Sequence, residues 1–126
     1  MFIDDEPALA ELGKLSLERL GYTVTSFMIP EQALNVFSLD PEAFDVVVTD
    51  QTMPGLTGVE VATSMLALRP ELPVIICSGF SHTLTEDQAL AAGVLRFLPK
   101  PFSGASLHEA IQVVLSQGRL AESISD

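Results

Sequence analysis

The sequence predicts a doubly wound α/β domain, in which one five-stranded parallel sheet carries helices on both faces. Three observations lead there. Short strand-like runs alternate with segments of helical spacing, the pattern of repeated βα units. Two of these runs, VVVT at Val46–Thr49 and VIIC at Val74–Cys77, are continuously apolar, as strands buried on both faces are. The length of 126 residues suits one such domain and leaves too little for a second.

Taken in order, the first unit opens with a short strand at Phe2–Ile3 and continues into a helix over about Pro7–Leu20. There Leu9, Leu12, Gly13, Ser16, Leu17 and Leu20 share one helical face, and Gly21 supplies the stop. The second unit pairs the alternating run Tyr22–Phe27 with a helix at Pro30–Ser38. Strand three, Asp45–Thr49, precedes a helix at Gly58–Leu68, and strand four, Val74–Cys77, precedes one at Thr83–Ala92. Strand five is Leu95–Leu98, followed by a helix at Ser103–Ser116. Thr83-x-x-Glu86 and Ser106-x-x-Glu109 match the capping-box pattern. Residues 1–116 are expected to form the domain, and the polar tail Gln117–Asp126 to fray or to prolong the last helix. Only Phe2 and Ile3 precede Asp4-Asp5 as strand, so the first strand is expected to be truncated and the chain to be excised from a longer polypeptide.

Composition also predicts the order of the sheet. The continuously apolar strands three and four want the middle, whereas YTVTSF alternates and LRFL carries Arg96, so both tolerate an edge. With right-handed crossovers the economical order is 2-1-3-4-5. In such a sheet the winding reverses between strands 1 and 3, and a crevice opens at their carboxyl ends. Those ends are Asp4-Asp5 and Asp50.

Charge limits what the crevice can meet. Six Lys and Arg stand against 17 Asp and Glu, a formal net charge of −11, which argues against direct binding to nucleic-acid phosphates or anionic lipid and favours a cation or a basic partner surface. The single cysteine, Cys77, lies in an apolar run and reads as core, so no intrachain disulfide can form. No segment approaches the roughly 20 apolar residues of a membrane helix, and no signal peptide opens the chain, so a cytoplasmic location and no membrane insertion are expected.

Three carboxylates in one crevice cannot all stay ionised without a compensating cation, and a hard divalent ion with oxygen ligands is the simplest one. Mg²⁺ suits a site of two or three carboxylates that keeps several waters. Strand 4 ends on Ser78, and strand 5 ends on Lys100 between Pro99 and Pro101. A hydroxyl and an ammonium facing a metal-bound carboxylate can trap a phosphoryl group. Singly, Asp4-Asp5 reads as a helix cap, Ser78 as a turn residue and Lys100 as a surface lysine. Their coincidence at successive strand ends is what those readings leave unexplained.

The chain resembles the receiver domain of two-component response regulators over nearly its whole length, through IDDEP at Ile3–Pro7, TDQTMPG at Thr49–Gly55, ICSGF at Ile76–Phe80 and FLPKPF at Phe97–Phe102. The fold implied is flavodoxin-like. The resemblance implies that Asp50 accepts a phosphoryl group from a phosphohistidine on a kinase. It also implies that Asp5 and Asp50 ligate Mg²⁺ directly, that Asp4 helps through water, and that the backbone carbonyl of Thr52 is a further ligand. Ser78 would bind a phosphoryl oxygen, Lys100 would pair with the carboxylate and then the phosphate, and the Lys100–Pro101 bond is often cis in the family. Phe97 would be the switch aromatic of a helix 4, strand 5 and helix 5 surface offered to an effector. It is not tyrosine, so its ring has no hydroxyl with which to favour one state. Phe80 and Thr52, each two residues beyond a site residue, point to slower hydrolysis. TDQTMPG and FLPKPF are similar to receivers attached to hybrid sensor kinases.

Other classes make different demands. A flavodoxin-like nucleotide-binding module needs a phosphate-cradling loop after strand 1, where Asp4-Asp5-Glu6 repels phosphate in the absence of a metal. A non-phosphorylated interaction module has no need of the full set of site residues, and a phosphoaspartyl phosphatase wants a second acid where Thr52 stands. His82 and His108 are too isolated to act as metal ligands or phosphorelay histidines.

Overall fold

The computed structural model describes residues 1–79, 86–100 and 102–125, with side chains except at 86, 87, 89 and 117–125. Five parallel strands form one sheet: β1 (Phe2–Ile3), β2 (Ser26–Phe27), β3 (Val47–Asp50), β4 (Val74–Ser78) and β5 (Arg96–Pro99). Their order is β2-β1-β3-β4-β5, as predicted, with β2 and β5 at the edges. The helices are α1 (Pro7–Glu18), α2 (Pro30–Leu39), α3 (Gly58–Leu68), α4 (Glu86–Ala91) and α5 (Gly104–Ser125). A 3-10 turn at Pro41–Ala43, which the sequence reading passed over, follows the Asp40-Pro41 junction that ends α2.

The continuous apolar runs on β3 and β4 feed two cores because successive side chains point to opposite faces. Val47, Val74 and Ile76 join Ala33 and Phe37 of α2 and Val61, Ala62 and Met65 of α3. Val48, Ile75 and Cys77 join Leu17 of α1 and Leu107, Ala110, Ile111 and Val114 of α5 on the other face. Short as it is, β1 pairs on both sides, Phe2 with Ser26 and Val48, and Ile3 with Phe27 and Thr49. Met1 adds to the β3 ladder, where its carbonyl accepts from the Val48 amide at 2.9 Å.

Three local expectations are corrected. On α1 Gly13 and Leu17 are buried as expected, but Ala10 completes the buried face, while Leu12 is 61% and Leu20 51% exposed. Gly13 sets this rotation, since a Cβ there would lie 2.5 Å from the Phe2 ring, so the helix lies against that ring at the one position without a side chain. The six-residue run expected for strand two yields only Ser26–Phe27, because its partner β1 offers two residues to pair with. The cap of α5 lies at Ser103, not Ser106. Ser106 N–H donates to Ser103 Oγ at 3.1 Å and Ser103 N–H to Ser106 Oγ at 2.9 Å, a reciprocal cap that already uses the Ser106 side chain. The other expected box needs Thr83, outside the described residues.

The start of α3 lies tight against the end of β3. A Cβ on Gly58 would fall 2.6 Å from the Asp50 carbonyl oxygen and 3.1 Å from Gln51 Cα. Gly→Ala inside a helix ordinarily stabilises by about 0.5–1 kcal/mol, but here the contact is backbone and cannot swing aside. Gly58→Ala is therefore expected to destabilise by about 1–3 kcal/mol in urea denaturation, the opposite of the helix-propensity effect.

Candidate functional site

Parallel strands deliver all their carboxyl ends to one edge, and the register fixes which ends meet. Ile3 lies opposite Thr49, so Asp4 and Asp5 emerge beside Asp50, while Ser78 lies opposite Pro99 and brings Lys100 beside β4. The Lys100 amide donates to the Ser78 carbonyl at 2.7 Å, which ties the two ends together.

Asp4, Asp5 and Asp50 each offer a carboxylate oxygen within 4.8 Å of the others. Lys100 Nζ lies 3.0 Å from Asp50 Oδ1 and 3.4 Å from Asp4 Oδ2. The other Asp4 oxygen, Oδ1, accepts from the Glu6 amide at 3.0 Å in a local turn ahead of α1, whose N-cap is Glu6 with no side-chain cap bond, so the helix cap expected of Asp4-Asp5 does not form. Asp4 and Asp50 are buried, Asp5 half-buried. Burial pushes the Asp50 carboxyl up from its ordinary value and the Asp4 charge adds to this, against the opposing hydrogen bond and charge of Lys100. Burial alone would lower the Lys100 ammonium, but the hydrogen bond and charge of Asp50 together with Asp4 outweigh it and raise it. One ammonium among three carboxylates leaves negative charge in excess, and the donor set is carboxylate oxygen throughout. A hard cation fits it.

Ser78 Oγ is buried and has no hydrogen-bond partner among the described residues. Such a hydroxyl costs about 1–3 kcal/mol unless something pairs with it, so it marks a place built for a ligand atom or a moving group. Ser78→Ala is expected to leave stability unchanged or slightly raised, as a melting curve would read, because the folded state loses no hydrogen bond.

The structure thus brings together Asp4, Asp5, Asp50, Ser78 and Lys100. Thr52 stands exposed on the loop after β3. Phe97 is half-buried on β5 and packs against the core under α2 and α3. Pro101, Phe80 and His82 fall outside the described residues, and with them the expected cis bond. His108 shares a hydrogen bond with Tyr22 Oη at 2.9 Å and takes its partner there, not among the carboxylates. Sequence reasoning missed Gln51, whose side chain reaches α3, and the capping box Thr57–Glu60, although Thr57-x-x-Glu60 carries the same pattern recognised elsewhere in the chain.

A buried strand-end carboxylate that holds an ammonium within a cluster of three carboxylates suits the α/β phosphoacceptor signalling domains. The chain belongs to the response regulator receiver domain family, whose profile matches residues 1–112. It is 33% identical over 118 residues to the C4-dicarboxylate transport transcriptional regulatory protein DctD of Rhizobium meliloti, covering 94% of this chain and 25% of that protein. It is 28% identical over 123 residues to the putative two-component response regulator ARR21 of Arabidopsis thaliana, covering 98% of this chain and 20% of that one. A response regulator receiver domain protein from Clostridium thermocellum superposes with a TM-score of 0.90 at 28% identity, covering 95% of each chain. The chain therefore spans a fifth to a quarter of the length of these two curated relatives. It is a regulatory domain of phosphorelay signalling, of a family whose members interact with kinases and effector domains. Among the described residues no helix is long and apolar enough to cross a membrane.

Proposed function

We propose that the domain takes a phosphoryl group from a histidine kinase or phosphotransfer protein onto Asp50, with Mg²⁺ held by Asp5, Asp50 and the Thr52 carbonyl, and by Asp4 through water. The observation that carries this reading is the Lys100 Nζ contact at 3.0 Å to an Asp50 carboxyl that lies in an otherwise acidic, buried cluster. An Asp50 oxygen attacks phosphorus in line as the bond to the donor imidazole breaks and its electron pair leaves with the nitrogen. Bound Mg²⁺ would supply charge neutralisation at the equatorial phosphoryl oxygens. Lys100 holds the Asp50 carboxylate in place beforehand and pairs with a phosphoryl oxygen afterwards. Ser78 donates its unused hydroxyl to another.

The added charge, close to −2, falls in a pocket already short of cations, which is why Ser78 and Lys100 must respond to it. Movement of Ser78 toward the phosphate frees space for Phe97 to turn inward, and α4, β5 and α5 present the changed surface to an effector. The proposed receiver unit is residues 1–116, with 117–125 prolonging α5, in a cytoplasmic setting where no direct nucleic-acid contact is made.

Acetyl phosphate with Mg²⁺ tests the transfer. Wild type should gain one phosphoryl unit by intact mass, lose it under mild alkali, and show no gain without Mg²⁺ or in Asp50→Asn. A label that survives alkali, or that persists in the variant, contradicts the assignment.

A further inference from the structure

We infer that Gln51 is a positioning residue of this site, whose side-chain carbonyl latches the loop of residues 52–57 shut at its base and so holds Asp50 and the Thr52 carbonyl in place for the cation. The inference rests on the metal reading proposed above.

The first amides of a helix lack partners within it, and α3 finds its partners largely in one residue. Gly58 N–H donates to the Gln51 backbone carbonyl at 2.9 Å, and Val59 N–H to Gln51 Oε1 at 3.0 Å. Glu60 N–H is taken by Thr57 Oγ1 at 3.2 Å, the one side-chain bond an N-cap threonine makes here. Without the Gln51 side chain the Val59 amide would have no protein acceptor that the described contacts supply. On the strand side, Gln51 N–H donates to the Cys77 carbonyl at 2.9 Å and carries the β3–β4 ladder one residue past Asp50. Gln51 thus commits its amide to β4 and both carbonyls to α3, directly beside the carboxylate that the chemistry uses.

Two further contacts show that the latch is tight. The absence of a side chain on Gly58 lets α3 close on Asp50 and Gln51, and Gln51 Oε1 lies 3.1 Å from where a Gly58 Cβ would stand. Met53, within the loop, is buried in the core under α2 and α3. The loop is pinned at its base by Gln51 and Gly58 and in its middle by Met53, with Thr52 between the two anchors. Groups that orient metal ligands from outside typically change affinity 10–100-fold when removed.

Isothermal titration with Mg²⁺ on wild type, Gln51→Leu, Gln51→Ala and Gln51→Glu, each confirmed folded by circular dichroism, separates positioning from helix capping. Gln51 is half-exposed, so the substitutions leave the core intact. Leu and Ala should bind Mg²⁺ about tenfold more weakly, and Glu, which keeps the acceptor for Val59, at least as tightly as wild type. In the metal-free protein, the Val59 amide should exchange its hydrogen faster in Leu and Ala than in wild type and Glu. Leu and Ala variants that melt lower yet bind Mg²⁺ within twofold of wild type would make Gln51 a helix cap only and overturn the inference. Weakening in Glu equal to that in Leu would overturn it as well. Wild type that binds no Mg²⁺ would instead defeat the underlying metal reading, a distinct result, because the exchange difference at Val59 would remain.

Discussion

Lys100→Ala is expected to lower the stability of the metal-free domain by about 2–3 kcal/mol in urea denaturation, while phosphoryl uptake from acetyl phosphate and Mg²⁺ continues. The stability loss follows from what remains behind. Asp50 and Asp4 are buried, and the ammonium that contacts both at 3.0 and 3.4 Å is gone. The Lys100 pKa is raised in the folded state, so its contribution is fully present below the ordinary lysine value of 10.5 and is lost as pH rises through the folded value. The gap between wild type and variant should therefore hold across neutral pH, close in strong alkali, and narrow in acid once Asp50 takes up its proton. Uptake is expected to survive because Mg²⁺ held by the carboxylates would neutralise much of the transferred charge, whereas only a protein group can relay phosphate position to the backbone of β5. Amide NMR shifts around Phe97 on phosphorylation should be lost in the variant. A variant that keeps the full shift pattern and wild-type uptake would remove Lys100 from both roles.

Magnesium should have an effect of similar size. At a hundredfold excess over its dissociation constant, Mg²⁺ is expected to raise the unfolding free energy by about 2.7 kcal/mol, and chelation should reverse it. Asp50→Asn should lose most of that gain and yet melt higher than wild type in chelator. The sign follows from the raised Asp50 pKa. Its protonated form is favoured in the fold, so that contribution is complete below 3.8 and lost as pH rises through the folded value, which leaves the ionised carboxylate a burden at neutral pH. Mg²⁺ affinity should accordingly fall as pH drops toward the folded value, because the ligand must be deprotonated, and should fall with added salt through screening. Equal Mg²⁺ stabilisation of wild type and Asp50→Asn would separate the cation from this carboxylate.

Most of the sheet was legible because strand composition speaks directly about burial. The valines of VVVT and all of VIIC are apolar in unbroken runs, as a strand with a core on each face requires, and that places β3 and β4 in the middle of the sheet. The site was legible for the same reason, since a parallel sheet of that order leaves Asp4, Asp5, Asp50, Ser78 and Lys100 little choice but to gather at one edge. The face of α1 was misread because leucine spacing reports amphipathicity but not which stripe meets the sheet. The deciding contact is the Phe2 ring against the bare backbone of Gly13, a three-dimensional fit with no periodic signature. The extent of β2 was overread because propensity is a property of one strand and pairing a property of two. Gln51 escaped notice since a polar residue next to Asp50 gives no sign, in one dimension, of a helix start seven positions on.

The central claim is an acyl phosphate on Asp50, and borohydride reduction tests it most directly, because it converts such a group, but neither a free carboxylate nor a serine phosphate, to an alcohol. Wild type treated with acetyl phosphate and Mg²⁺, reduced and digested, should yield homoserine at position 50 and aspartate at positions 4, 5, 40 and 45. Homoserine at another position, or a phosphorylated protein whose peptide from β3 remains unreduced, would contradict the account.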